Sequence, residues 1–168
     1  LAYRVALLRN KPRHLRALQV AAQKAGWGKA PRAGRARGLA VHESFGSIVG
    51  EVAEVSVERG RIRVHEVTCA VDCGLAVNPL GIEAQVQGAV AFGLGPVLRS
   101  ELTIKQGRVQ QSNFHDYDVL RLSEMPASEV HFVPSSAPPT GVGEPGFPPA
   151  APCSARSPGR TPGRGWCS

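Results

Sequence analysis

The feature that most constrains the fold of this chain is a pair of apolar stretches separated by a short polar turn. SIVGEVAEVSV (residues 47–57) and IRVHEVTCAVD (residues 62–72) are rich in β-branched residues, which favour extended backbone. Between them, ERGR (residues 58–61) has the glycine and charge content of a turn. The sequence therefore predicts a long β-hairpin.

Helical spacing indicates two helices, one on each side of this hairpin in the sequence. Apolar residues recur at helical intervals from Leu15 to Ala25, with Pro12 placed to begin the helix and Gly26 to end it. GIEAQVQGAVAFGLG (residues 81–95) is predicted to form the second helix. Its glycines would let another backbone or a ligand come close.

Shorter elements complete the predicted organisation. Residues 28–38 have the Gly, Pro and Arg content of a linker, residues 101–105 and 108–112 predict a second hairpin, and residues 129–133 predict a last strand. Hairpins and helices that do not alternate strictly indicate an α+β fold rather than a doubly wound sheet. No G-x-G-x-x-G motif directly follows a predicted strand, and no G-x-x-x-x-G-K-S/T motif is present, which argues against a phosphate-binding loop for a nucleotide. A G-x-S-x-G nucleophile elbow is also absent, which argues against serine hydrolysis.

The formal charge of +7 raises the question of a nucleic-acid partner. Seven basic residues in two Gly/Pro-rich stretches account for the excess, and the 13 other basic residues balance the 13 acids. These seven are Lys29, Arg32, Arg35, Arg37, Arg156, Arg160 and Arg164. We therefore expect no nucleic-acid partner, and a basic nucleic-acid module is only the third alternative.

The cysteines do not form a metal-binding pattern. Cys69 and Cys73 lie four residues apart, without a C-x-x-C pair or zinc-type spacing. At that spacing in a strand they would share one face, and we expect buried reduced thiols there.

A glycine- and proline-rich stretch near the end, PTGVGEPGFPP (residues 139–149), contains one acid, Glu144. Such a loop could hold a side chain at a fixed point, because glycines allow unusual turns and prolines stiffen the chain. Two interpretations stay open from the residues alone: a general acid or base in an apolar place, or an exposed turn without a role. On the second predicted helix, Gln85 and Gln87 point to opposite sides, so at most one can face a ligand.

Five stretches, in order, carry a family resemblance: AVHESFGSIVGEVAEV, CAVDCGLAVNP, IEAQVQGAVAFGLG, TIKQGRVQQSNFHDY and PTGVGEPG. Together they resemble the C-terminal part of the molybdopterin-binding large subunit of the xanthine dehydrogenase and aldehyde oxidase family. The bacterial isoquinoline 1-oxidoreductase β subunits and membrane-associated aldehyde dehydrogenases are especially similar. The resemblance implies that residues 1–150 are the C-terminal portion of a molybdopterin-binding catalytic domain of the molybdenum hydroxylase type.

After Pro152 the sequence departs from this family. The family continues there into an apolar helix, whereas this chain ends in a run of Pro, Gly, Arg and Ser that cannot bury a helix face. We expect residues 151–168 to be a disordered or aberrant tail, and the chain to be a fragment.

The resemblance also implies roles for four residues. Glu144 matches the catalytic base beside the molybdenum, and Gln85 matches a glutamine near the pterin. Gly141 and Gly143 would let the backbone pass close to the cofactor. The cofactor is molybdenum-molybdopterin, in the cytosine dinucleotide form.

The implied activity is that of a molybdenum-dependent oxidoreductase, which oxidises a carbon of an N-heterocycle or aldehyde with water as the oxygen source. The implied partners are a small subunit that carries the iron-sulfur clusters and a cytochrome as electron acceptor. Because most of the family's cofactor cradle lies upstream of the resembling region, these 168 residues alone are expected to be inactive. The alternative is a non-catalytic structural or assembly fragment of the same fold that binds no cofactor.

Overall fold

The computed structural model describes residues 1–155 of the chain. It contains four α-helices, six strands and one 3-10 helix within that range. In chain order these are α1 (Ala2–Leu7), α2 (Pro12–Lys24), β1 (Arg35–Ser44), β2 (Ser47–Glu58), β3 (Arg61–Asp72), α3 (Pro79–Leu98), β4 (Ile104–Lys105), β5 (Arg108–Val109), the 3-10 helix (Leu122–Glu124), β6 (Ala127–Phe132) and α4 (Phe147–Ala155).

The main sheet has four strands in the order β1-β2-β3-β6. The first three strands form an antiparallel meander, and β6 joins the edge parallel to β3. The predicted long hairpin is confirmed as β2 and β3, and the turn falls at Arg59 and Gly60, both with positive φ. The predicted α+β fold class is confirmed.

Successive side chains of β2 point to opposite faces of the sheet, and they divide the core into two layers. Ile48 and Val52 face α2, whereas Val49 and Val55 face the opposite side, where α3 and α4 pack. Gly50 lies under α2, where an added Cβ would be 2.7 Å from a backbone oxygen of that helix. The sheet is therefore covered by α2 on one face and by α3 and α4 on the other.

Both predicted helices are confirmed, with α2 beginning at Pro12 and Gly26 following in a left-handed conformation. Asn78 caps the N-terminus of α3, because its side-chain oxygen accepts a hydrogen bond from the Gly81 amide at 3.1 Å. Proline at the first helical position follows this cap. Within residues 1–155, no helix is long and apolar enough to cross a membrane.

Three predicted boundaries were wrong. Residues 35–38 of the predicted linker are the start of β1, and the second hairpin has only two residues in each strand. Residues 151–155 of the predicted tail belong to α4, which packs on β1 so closely that a Cβ at Gly38 would lie 1.9 Å from the Cys153 carbonyl oxygen. The rest of that tail prediction lies outside the described residues.

Candidate functional site

Glu144 lies in the connection between β6 and α4. We call residues 137–146 the Glu144 loop. Its carboxylate is exposed, and its backbone oxygen accepts a hydrogen bond from the Phe147 amide at 2.9 Å as α4 begins. The next two residues, Pro145 and Gly146, are buried. The loop therefore presents an exposed acid immediately before a buried, proline-stiffened anchor.

The segment after Glu144 packs along α3. An added Cβ at Gly146 would lie 3.4 Å from the Val86 carbonyl oxygen, and one at Gly93 would lie 2.7 Å from the Phe147 carbonyl oxygen. The ring centroids of Phe92 and Phe147 are 5.2 Å apart. The segment that follows Glu144 therefore contacts α3 at Val86, one residue after Gln85 in the sequence.

The two glutamines of α3 point away from each other, as predicted. Gln85 is exposed, whereas the Gln87 amide donates to Glu83 Oε1 at 3.2 Å and to the Ser128 backbone oxygen of β6 at 3.4 Å. Gln87 is therefore engaged within the fold, and Gln85 is the glutamine available to a ligand.

The glycines near this place differ in what surrounds them. An added Cβ at Gly88 or Gly143 would meet nothing within 4 Å. At Gly141 it would lie 2.9 Å from Phe45 Cβ. Packing against Phe45 therefore explains why residue 141 is a glycine, whereas the described residues give no packing reason for a glycine at position 88 or 143.

A carboxylate that the sequence reasoning missed lies in the core on the α3 and α4 side of the sheet. Glu51 is fully buried, and burial raises its pKa to about 8, whereas the neighbouring thiols of Cys69 and Cys153 oppose this shift to a smaller extent. Its Oε2 lies 3.8 Å from Cys153 Sγ, and its Oε1 has no hydrogen-bond partner among the described residues. The sequence signal that could have revealed Glu51 is an acid within a stretch of otherwise apolar residues that predicts a buried strand.

The thiols are buried and free, as expected for Cys69 and Cys73, and Cys153 is a third of the same kind. Burial raises the pKa of each thiol, so the thiol form is favoured. Across residues 1–155, His, Cys, Asp and Glu side chains form no group of three or more that could hold a metal ion.

The basic residues predicted to lie in a linker are partly neutralised in the structure. Arg35 and Arg37 each donate to the carboxylate of Glu54, at 2.9 and 3.0 Å. Burial opposes ionisation of Glu54, but the two guanidinium groups outweigh it and lower its pKa overall. These arginines therefore form an ion-pair cluster on the sheet.

A concavity of about 230 Å³ lies away from Glu144, in the region that follows α3. Its lining residues are Leu102, Gln111, Ser112, Asn113, Phe114 and Tyr117. No predicted site residue contributes to it.

The residues around Glu144 fit a bound cofactor in two respects. Gln85 and Glu144 are both exposed, so their side-chain amide and carboxylate are accessible to a ligand. The open space beside Gly88 and Gly143 would admit a large group against bare backbone.

Residues 15–126 match the sequence profile of a family described as a molybdopterin cofactor-binding domain. The chain is 33% identical over 150 residues to the isoquinoline 1-oxidoreductase subunit beta of Brevundimonas diminuta, covering 86% of this chain and 19% of that protein. It is 34% identical over 137 residues to the membrane-bound aldehyde dehydrogenase [pyrroloquinoline-quinone] of Gluconacetobacter polyoxogenes, covering 74% of this chain and 17% of that protein.

A solved structure supports the fold. The reconstituted CO dehydrogenase from Oligotropha carboxidovorans superposes with a TM-score of 0.57 at 23% identity, covering 64% of this chain and 14% of that one. The chain therefore spans less than a fifth of the length of these relatives. On the family match and the similarity to the B. diminuta subunit, this chain belongs to the molybdopterin cofactor-binding domain family.

Proposed function

We propose that this chain forms part of the catalytic site of a molybdenum hydroxylase subunit, with Glu144 as the general base. The observation that carries the proposal is the meeting of the Glu144 loop with α3. Gly146 packs on Val86, so the turn of α3 that carries Gln85 lies beside the loop that carries the acid. An exposed carboxylate and an exposed amide thus lie on neighbouring segments that also carry open backbone at Gly88 and Gly143.

Each residue has a distinct role under this proposal. Gln85 would donate its amide N–H to the pterin part of the cofactor, and Gly143 would let the backbone approach it. Gly141 is still proposed to lie beside the cofactor, although its packing against Phe45 is enough to require a glycine there. Glu144 would accept the proton that leaves the attacking water-derived hydroxyl, for which a carboxylate exposed to the bound cofactor is suited.

The overall reaction converts a C–H bond to a C–O bond, with water as the oxygen source and the release of two electrons and two protons. The bound molybdenum cofactor would supply the acceptor for the two electrons. The proposed substrates are N-heterocycles or aldehydes, consistent with the names of the two relatives. A small iron-sulfur subunit and a cytochrome acceptor are the proposed electron-transfer partners.

The two relatives' names differ in the cofactor they suggest, because one of them mentions pyrroloquinoline-quinone. The match to the molybdopterin cofactor-binding family covers residues of this chain directly. We therefore propose molybdopterin, in its cytosine dinucleotide form, as the cofactor.

A chimaera tests the proposal. The matching segment of the B. diminuta subunit is replaced by this chain, the protein is produced with its partner subunits, and molybdenum content and isoquinoline oxidation are measured. Glu144→Gln should lower kcat by about 10²- to 10⁴-fold, the usual contribution of general base catalysis, while molybdenum stays bound. Glu101→Gln, at an exposed position before β4, is the matched control and should leave kcat unchanged.

Other outcomes would contradict the proposal. Full turnover by the Glu144→Gln chimaera would exclude Glu144 as the base. Parallel loss of molybdenum and activity would indicate a structural role for Glu144. A folded chimaera that binds no molybdenum would favour the alternative, a non-catalytic fragment of the same fold.

A further inference from the structure

The Glu144 loop is attached to the sheet at a point four residues before the acid. The hydroxyl groups of Ser47 and Thr140 lie 2.7 Å apart, and the Thr140 amide donates to the Cys73 carbonyl oxygen at 3.0 Å. The Gly141 amide donates to the Phe45 carbonyl oxygen at 3.2 Å. One short segment of the loop is therefore bonded both to the β1–β2 turn and to the end of β3.

The fit at this attachment is close. An added Cβ at Gly74 would lie 2.1 Å from the Pro138 carbonyl oxygen, and one at Gly46 would lie 3.0 Å from Thr140 Cγ2. Gly46 and Gly74 also have positive φ, which disfavours a side chain there independently of space. Contacts this tight leave the loop little freedom to shift along the sheet.

The two parts of the sheet that hold the loop are themselves tied together by α2. The guanidinium group of Arg13 donates to the Gly46 carbonyl oxygen at 3.3 Å and to the Asp72 carboxylate at 2.9 Å. The Asp72 carboxylate in turn accepts from the Gly74 amide at 3.3 Å. The β1–β2 turn and the end of β3 therefore form one support.

The loop is also fixed on the far side of Glu144. Pro145 is buried, Gly146 packs against α3, and α4 begins at Phe147. Glu144 thus stands between two attachment points with only three residues separating it from Thr140. At the first of these points the hydroxyl pair adds a side-chain hydrogen bond to two backbone hydrogen bonds, and Ser47 is completely buried.

We propose that Ser47 and Thr140 are positioning residues, whose paired hydroxyls set the place from which Glu144 reaches its reaction partner. This inference rests on the proposed role of Glu144, but its central measurement does not. Neither hydroxyl contacts substrate or cofactor under this proposal. Both act by limiting the motion of the Glu144 loop.

Amide hydrogen exchange, resolved by residue in the full 168-residue chain, tests the inference. Thr140→Val and Ser47→Ala should speed exchange at the amides of residues 140 and 141 by roughly 2- to 10-fold, the equivalent of one lost hydrogen bond. Thr140→Ser keeps the hydroxyl and should restore exchange to that of the unaltered chain. Ser100→Ala removes a hydroxyl hydrogen bond to Asp118 elsewhere and should leave residues 140 and 141 unchanged.

A second readout uses the chimaera. Thr140→Val should lower kcat with little change in KM, and Thr140→Ser should restore kcat, because only the placement of the base is disturbed. Unchanged exchange at residues 140 and 141 would overturn the inference, as would faster exchange spread evenly over β1, β2 and β3. If Glu144→Gln retains turnover while exchange responds as expected, the proposed function fails and the attachment of the loop stands.

Discussion

Arg13 and Asp72 form a two-point ion pair between α2 and the end of β3, with both N–O distances at 2.9 Å. The hydrogen bond from Arg13 lowers the pKa of Asp72, and Asp72 correspondingly raises the pKa of Arg13. The Asp72 side chain is 4% exposed and that of Arg13 is 40% exposed. The pair therefore contributes to stability chiefly because Arg13 compensates the charge of the buried Asp72 carboxylate.

Replacement of Arg13 by alanine should lower the free energy of unfolding by about 1–3 kcal/mol at pH 7. This is less than for a fully enclosed pair, because water screens the exposed side of Arg13. Since the folded-state pKa of Asp72 is lowered, its stabilising contribution is complete above its ordinary pKa and is lost as pH falls through the folded value. Urea denaturation at pH 7 and pH 3 should show a smaller effect of Arg13→Ala at pH 3.

Arg63→Ala is the matched control for this prediction. Arg63 also pairs with an acid, Glu58, but at 3.6 Å and with both side chains more than half exposed. It should produce no measurable change in unfolding. Equal effects of Arg13→Ala and Arg63→Ala would show that the two-point pair adds nothing.

Glu51 and Glu54 lie three residues apart on opposite faces of β2. Replacement by glutamine should affect the pH dependence of stability differently at the two positions. Burial raises the pKa of Glu51 to about 8, so the folded state holds a proton that the unfolded state releases. Stability from this residue is therefore lost as pH rises from about 4.5 to about 8 and stays constant above that. The two arginine partners of Glu54 lower its pKa, so its carboxylate is ionised at neutral pH and contributes stability there.

Glu51→Gln should therefore remove a fall in stability on the order of a few kcal/mol between pH 5 and pH 8. Glu54→Gln should destabilise the protein at pH 7, because Arg35 and Arg37 lose their charged partner. Chemical denaturation of the parent and both variants across this range provides the measurement. A parent and a Glu51→Gln variant with parallel pH dependence would mean that Glu51 is not a neutral buried acid.

The parts of the fold that the sequence predicted are those with local causes. The β2–β3 hairpin follows from β-branched density and a glycine turn, and α2 follows from apolar spacing with a proline start. The strand β1 was missed because its first residues are arginines, which look like a solvated linker. In the strand their charges are balanced by Glu54 on β2, which pairs with both Arg35 and Arg37, and a single sequence does not reveal that partner.

The candidate site shows the same division. The resemblance predicted Glu144 and Gln85 as site residues, but it did not predict their surroundings. Gly141 and Gly143 are equivalent in the sequence motif, yet only Gly141 packs on the β1–β2 turn. The difference depends on contacts with residues almost a hundred positions away, so only the folded chain reveals it.

Gly88 and Gly93 lie on the same helix and should respond in opposite directions to replacement by alanine. A Cβ at Gly93 would lie 2.7 Å from the Phe147 carbonyl oxygen and 2.9 Å from Ala150 Cβ, so α4 must move away from α3. A Cβ at Gly88 would meet nothing within 4 Å, and alanine favours a helix interior over glycine by about 0.5–1 kcal/mol.

In the chain alone, thermal unfolding should therefore show a lower Tm for Gly93→Ala and an equal or higher Tm for Gly88→Ala. In the chimaera, the open space beside Gly88 is proposed to receive the cofactor, so Gly88→Ala should reduce molybdenum content even though it does not weaken the fold. Glycine is otherwise unfavourable at an exposed position inside a helix, and a bound group against its backbone would explain its presence. Full molybdenum content in Gly88→Ala would show that the cofactor does not approach α3 at this turn.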